Sequence, residues 1–87
     1  MYKLTLTASE RDAIDFVGGR YFHGYQLFLL LLECSEEEWE FDGDITYVIP
    51  EHVAWEIREG IENENYELAL LSRPFKKKLY SFCERIV

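Results

Sequence analysis

Ile45-Thr46-Tyr47-Val48-Ile49-Pro50-Glu51-His52-Val53-Ala54-Trp55-Glu56-Ile57 is the stretch that decides the fold. Its first five residues are β-branched or aromatic and read as a strand. Pro50 then fits the first turn of a helix, where a missing amide costs nothing. Val53, Ala54, Ile57 and Ile61 recur at helical spacing and make one apolar stripe. This helix is expected to run through about Ile61 and to end near Gly60. A strand therefore passes directly into an amphipathic helix.

The same succession opens the chain. Tyr2-Lys3-Leu4-Thr5-Leu6 alternates as a short strand, and Thr7-Ala8-Ser9-Glu10 has the capping-box pattern. The helix that follows should reach about Val17, with Ala13, Ile14, Phe16 and Val17 on one face and Gly18-Gly19 at its end. Phe22 to Cys34 reads as a second helix. It is apolar almost all round from Leu27 to Leu32, which makes it a central core element or part of an oligomer seam. Ser35 to Asp44 is a charged loop with a turn at Asp42-Gly43. Asn63-Glu64-Asn65 is a turn, and Tyr66 to Leu71 is ambiguous between helix and strand. Ser72 caps a last helix with Pro74 in its first turn and Phe75, Leu79, Phe82 and Ile86 on one face.

The expected fold is α+β: one small, mostly helical domain over residues 1–87, with about four helices and two short strands in the order strand–helix–helix, twice. The two strands should pair as a ribbon. At an offset of 41 the halves also share residues, Thr5 with Thr46, Glu10 with Glu51, Ala13 with Ala54 and Gly19 with Gly60. That correspondence is consistent with two related units.

Charge is distributed as unevenly as hydropathy. Of seventeen carboxylates in 87 residues, thirteen lie between residues 33 and 67, where Arg58 is the one cation, a local charge of −12. Residues 1–32 balance to zero, and residues 68–87 carry +4, so the whole chain is −8. A field of this sign repels nucleic acid and attracts basic surfaces. Direct nucleic-acid binding through Arg73 and Lys76 to Lys78 is therefore disfavoured, and Lys76, Lys77 and Lys78 read as a solvated face.

Chemical signatures are few. There is no Gly-rich phosphate loop, nucleophile elbow or zinc-protease motif. His23, His52, Cys34 and Cys83 are scattered rather than spaced as zinc ligands. Asp42-Gly43-Asp44 lacks the ligand spacing of a calcium loop. No cofactor, metal or catalytic residue is expected. Two lone cysteines 49 residues apart suit free thiols in a reducing cytosol. Glu10 and Asp12 interrupt any apolar signal-peptide region, and the longest apolar run, Leu27 to Leu32, is far short of the ~20 residues of a membrane span. A cytoplasmic protein without a membrane role is expected.

Wound at 100° per residue, the third helix sets Glu51, Trp55, Glu59 and Glu62 opposite its apolar stripe. Tryptophan among carboxylates suits a binding surface; a loop folding over Trp55, through Trp39, is the competing reading. The expected contact residues are Glu36, Glu37, Glu38, Trp39, Glu40, Asp42, Trp55, Glu59 and Glu62. Their carboxylates would meet lysines or arginines and their tryptophans would supply anchor area. Such a surface competes with nucleic acid for a cationic groove without turnover.

Three segments, LTLTASERDAIDFVGGRYFHGYQLFLLLLEC (residues 4–34), DITYVIPEHVAWEI (residues 44–57) and KKKLYSFCERIV (residues 76–87), resemble small acidic proteins encoded by bacteriophages. The resemblance spans nearly the whole chain and contains no catalytic motif. It implies a non-enzymatic inhibitor of the anti-CRISPR or anti-restriction type, acting in the bacterial host cell. Its partner would be a protein with a basic surface, such as a CRISPR–Cas or restriction complex. Some such proteins mimic DNA. Here the basic end departs from a uniform mimic and favours a local acidic patch. The alternative is a homo-oligomeric structural or adaptor protein, a homodimer for instance, that uses the apolar helix 22–34.

Overall fold

Leu4 and Leu6 point one way along the first strand while Lys3 and Thr5 point the other, and Ile45, Tyr47 and Ile49 do the same against Thr46 and Val48. In the computed structural model these segments are β1 (Tyr2–Leu6) and β2 (Ile45–Ile49). The structure describes residues 1–19, 22–63, 66 and 68–86, with the backbone alone for residues 22–24. β1 and β2 pair antiparallel with Tyr2 opposite Ile49 and Leu6 opposite Ile45. One face of the ribbon is buried and the other open to solvent, as alternation requires. Among the described residues four α-helices complete the fold: α1 (Ala8–Gly18), α2 (Phe22–Leu32), α3 (Glu51–Glu62) and α4 (Arg73–Glu84). The ambiguous stretch before α4 holds a short 3₁₀ turn at Leu68–Leu70. The chain is thus α+β, with strand–helix–helix laid down twice. Asn63 stands in a turn; Glu64 and Asn65 of the expected turn lie outside the described residues.

Local signals explain where the helices start. The Thr7 hydroxyl accepts the Glu10 amide at 3.1 Å and the Glu10 carboxylate accepts the Thr7 amide at 2.9 Å, a complete capping box. The Ser72 hydroxyl accepts the Phe75 amide, with Pro74 in the first turn. Pro50 stands one place earlier than expected. It is the N-cap residue itself, and its carbonyl accepts the Ala54 amide at 2.9 Å.

The helix ends differ more. Gly19 closes α1 in a right-handed conformation, its amide on the Asp15 carbonyl at 2.9 Å, so no left-handed glycine is used. α2 stops at Leu32, two residues before the expected Cys34, whose thiol turns back to the Leu30 carbonyl. Gly60 does not end α3. It lies buried inside the helix against the ring of Tyr66, which occupies the space a side chain there would take. Tyr66 also donates its hydroxyl to the Glu56 carbonyl at 3.3 Å.

One apolar cluster draws on every element. It includes Leu4, Leu6, Ile14, Val17, Leu27, Leu31, Ile45, Tyr47, Ile49, Val53, Ala54, Ile57, Ile61, Phe75, Leu79, Phe82 and Ile86. The stripes expected on α3 and α4 are buried in full. On α1, Ile14 and Val17 are buried, whereas Phe16 is 56% exposed. The fourth position of α1, Arg11, is turned inward in its place.

The halves correspond at a spacing other than 41. β2 and α3 begin 43 residues after β1 and α1, at Ile45 against Tyr2 and Glu51 against Ala8. Counted from each helix start, Arg11 matches Ala54 and Ile14 matches Ile57, and all four are buried. A shift of two residues preserves the face of a strand but rotates a helix by roughly 200°. The residue identities seen at 41 therefore do not describe equivalent positions. α2 and α4, separated from their preceding helices by unlike links, share neither spacing.

No helix among the described residues is long and apolar enough to cross a membrane.

Candidate functional site

Arg11 organises the acidic loop. The residue is 1% exposed, and its guanidinium donates to four main-chain carbonyls: Trp39 at 3.0 Å, Leu6 at 2.9 Å, Gly43 at 2.9 Å, and Phe41. A buried cation is costly unless its donors are satisfied, and here they are met by carbonyl dipoles instead of a carboxylate. Three of the acceptors belong to the loop that carries Glu36, Glu37, Glu38, Glu40, Asp42 and Asp44. The positive charge beneath that loop offsets part of its self-repulsion. The pin also fixes which side chains face inward.

Trp39 is one of those. It stands edge-on to Phe28 at 4.7 Å between ring centroids and 6.4 Å from Tyr47, half-buried against the core. Its indole N–H is buried with no hydrogen-bond partner among the described residues. Trp39, expected from the sequence as an anchor residue, is thus partly buried, with part of its surface still open. With its carbonyl held by Arg11, the ring is spent on α2 and β2. Trp55 is the outward one, 43% exposed, with the Arg58 guanidinium 5.0 Å from its ring centroid. The loop packs on Phe28 and Tyr47 through Trp39 and leaves Trp55 open.

The remaining expected contacts divide into groups. Glu36, Glu37 and Glu38 wall an open groove of ≈ 700 Å³ together with Glu33, Cys34, Thr46, Val48 and Pro50. The Ser35 hydroxyl accepts the Glu37 amide at 3.1 Å and shapes that wall. Glu59 belongs to a second groove of ≈ 380 Å³ between α2 and α3, with Glu33, Glu56, Leu29, Leu30 and Tyr66. Glu33 lies on both, so the two grooves adjoin. Glu40 and Asp42 are exposed on the loop. Glu62 faces elsewhere and pairs with Arg58 at 2.9 Å. Glu33 and Glu56 were missed by sequence reasoning. Glu56 is three residues from Glu59 on the same helix, a spacing that places both on one strip; Glu33 closes the apolar run of α2.

Several cations are engaged elsewhere, whereas Lys3 stands opposite Val48 of the first groove on the open face of the ribbon. Arg58 is engaged by Glu62, by the Ile86 carbonyl at 2.9 Å and by Trp55. Lys78 donates to Glu10 at 2.6 Å and to the Thr5 carbonyl at 2.9 Å, and Arg85 donates to the Lys3 carbonyl at 2.9 Å. Basic side chains of the C-terminal region thus lie along the outer edge of β1. The acidic turn lies beside β2, where the Val48 amide donates to the Cys34 carbonyl. The ribbon separates the two signs.

Burial pushes the Cys34 thiol up, helped by Glu33, and burial with Glu62 does the same to Cys83. Both are free thiols, and the upward shift favours their protonated form. His52 is exposed in the first turn of α3; the His23 side chain lies outside the described residues. Among the described residues no group of three or more His, Cys, Asp or Glu is placed to hold a metal ion.

Compared with protein families, curated proteins and solved structures, the chain gives no match.

Proposed function

We propose that this protein is a non-enzymatic inhibitor of the phage anti-CRISPR or anti-restriction type, working in the host cytoplasm. It docks its acidic side on a basic, nucleic-acid-binding surface of a host defence complex. The observation that carries this reading is the pair of adjoining grooves lined by Glu33, Glu36, Glu37, Glu38, Glu56 and Glu59. α3, the end of α2 and the loop that follows it hold these carboxylates, and Arg58 and Lys78 are committed to other partners. Such a surface offers fixed negative charge to lysines and arginines that otherwise hold phosphates. Mimicry is local, since the opposite edge of the ribbon is basic.

The test uses tagged protein and bacterial lysate, with retained complexes challenged by salt and by added duplex DNA. Retention at low salt, release by either competitor, and loss of retention on combined Glu36→Lys, Glu37→Lys and Glu38→Lys substitution are expected. Retention that ignores salt, DNA and the substitutions would sink the reading.

A second reading has its own observation. Tyr25, Leu29 and Leu32 of α2 are 45%, 42% and 39% exposed, more apolar surface than a helix of this size needs to leave uncovered. A homodimer closed over α2 would cover it. Light scattering over a concentration series tests it, because this reading expects a stable dimer.

A further inference from the structure

The α2–α3 groove has an interior as well as an acidic rim. Its floor is Leu30 and the ring of Tyr66, seated over Gly60, and Leu29 forms a half-exposed lip. Glu33, Glu56 and Glu59 stand around it, and no cation among the described residues pairs with any of the three. Its ≈ 380 Å³ falls within the ~300–1,000 Å³ of ligand pockets.

We infer that this groove is a socket for an arginine side chain carried by a segment of the partner protein. The inference rests on the acidic-docking reading and specifies its centre. An arginine has an aliphatic stem that would lie on Leu29 and Leu30, and a planar, weakly hydrated fork that matches carboxylates. Lysine carries a compact, strongly hydrated charge and gains less from an apolar floor. The same carboxylates turn away a phosphate. They also disfavour a second copy of this chain, because a two-fold contact here would set like charges against each other.

Short synthetic peptides, identical except for arginine, lysine or citrulline at the centre, are titrated into the isotopically labelled protein. The arginine peptide is expected to shift the amide signals of Leu29, Leu30, Glu56, Glu59 and Asn63. Its affinity should fall roughly tenfold when lysine replaces arginine, and further with citrulline, the scale of one charge-assisted hydrogen bond. Glu56→Gln with Glu59→Gln should remove the preference for arginine. These positions are exposed, so the fold is preserved. Combined Glu36→Gln, Glu37→Gln and Glu38→Gln should weaken all basic peptides alike.

Equal binding of arginine and lysine, or shifts confined to residues 36–38, overturns the socket and leaves the acidic-docking reading standing. Free arginine amide binding as tightly as the peptide overturns the assignment to a protein segment. Self-association abolished by Glu56→Gln with Glu59→Gln assigns the groove to a second copy and also overturns it. Failure of every basic peptide to bind overturns both readings.

Discussion

Arg11 and Trp39, 28 residues apart, are joined by a 3.0 Å hydrogen bond from the guanidinium Nε to the main-chain carbonyl. Together with the bonds to Leu6, Phe41 and Gly43, it makes one side chain responsible for the course of a loop. Replacing Arg11 with methionine keeps the length and removes every donor. Each buried acceptor left unsatisfied costs about 1–3 kcal/mol, so a loss of ~3 kcal/mol or more is expected. Arg11→Lys should fall between, since one ammonium cannot reach four carbonyls. Urea unfolding measures both; a cost under ~1 kcal/mol for Arg11→Met would show that the loop is held by something else.

Gly60 and Tyr66 form a lock of a different kind. A methyl group at residue 60 would overlap the tyrosine ring. Gly60→Ala should therefore destabilise by about 1–3 kcal/mol, although alanine is the better helix former. Tyr66→Ala in the same chain should recover part of that loss. A double-mutant cycle reads the coupling, and additive costs would mean that the ring moves aside freely.

Burial pushes the Tyr66 hydroxyl up to about 12, with Glu56 and Cys83 adding to the effect. An unfolded tyrosine ionises near ~10. As pH rises, the unfolded chain loses this proton before the native one does. Stability from this group is thus complete below pH ~10 and is lost as pH rises toward 12. Ultraviolet titration of the phenolate band should show a late phase that Tyr66→Phe removes; a variant with an unchanged late phase would refute the assignment.

Both thiols are raised above their ordinary range, chiefly by burial. Alkylation at mildly alkaline pH should be slow at each. Cys34, half-buried on the acidic groove, should react before Cys83, which is buried. Mass spectrometry of a time course gives the order, and faster labelling of Cys83 would contradict the packing of α4.

Glu10 serves two partners, the Thr7 amide and Lys78. Glu10→Gln keeps an acceptor for the cap but loses the ion pair, and should cost about 0.2–1 kcal/mol. Thr7→Ala loses the cap and should cost ~1 kcal/mol. Comparing unfolding at low and high salt distinguishes them, because only the first effect is screened.

The strands and helix starts were legible because their causes are local. Alternation at Tyr2–Leu6 and Ile45–Ile49, the Thr7–Glu10 box and the Ser72 cap each involve residues within a few positions of one another. Helix ends were less so. Gly60 looked like a stop signal, yet its use is set by Tyr66 on a different segment. Helical spacing set Trp55 outward, but the sequence left open whether the loop would fold over it through Trp39. Their fates diverge through Arg11, which reads in sequence as one more balanced charge near Asp12 and Asp15. The acidic middle was plain from composition. Which carboxylates line grooves was not, since Glu33 and Glu56 meet only when α2 packs beside α3.

The division of charge across the ribbon gives the molecule an electric dipole. A basic target would sense that dipole at separations near a Debye length, roughly 8–10 Å in physiological salt, and turn the protein before contact. Arg85, by bonding along β1, leaves its charge beside Lys3, whereas that of Lys78 is offset by Glu10. On the proposed docking reading that charge would disfavour the wrong approach, and fewer encounters would be wasted.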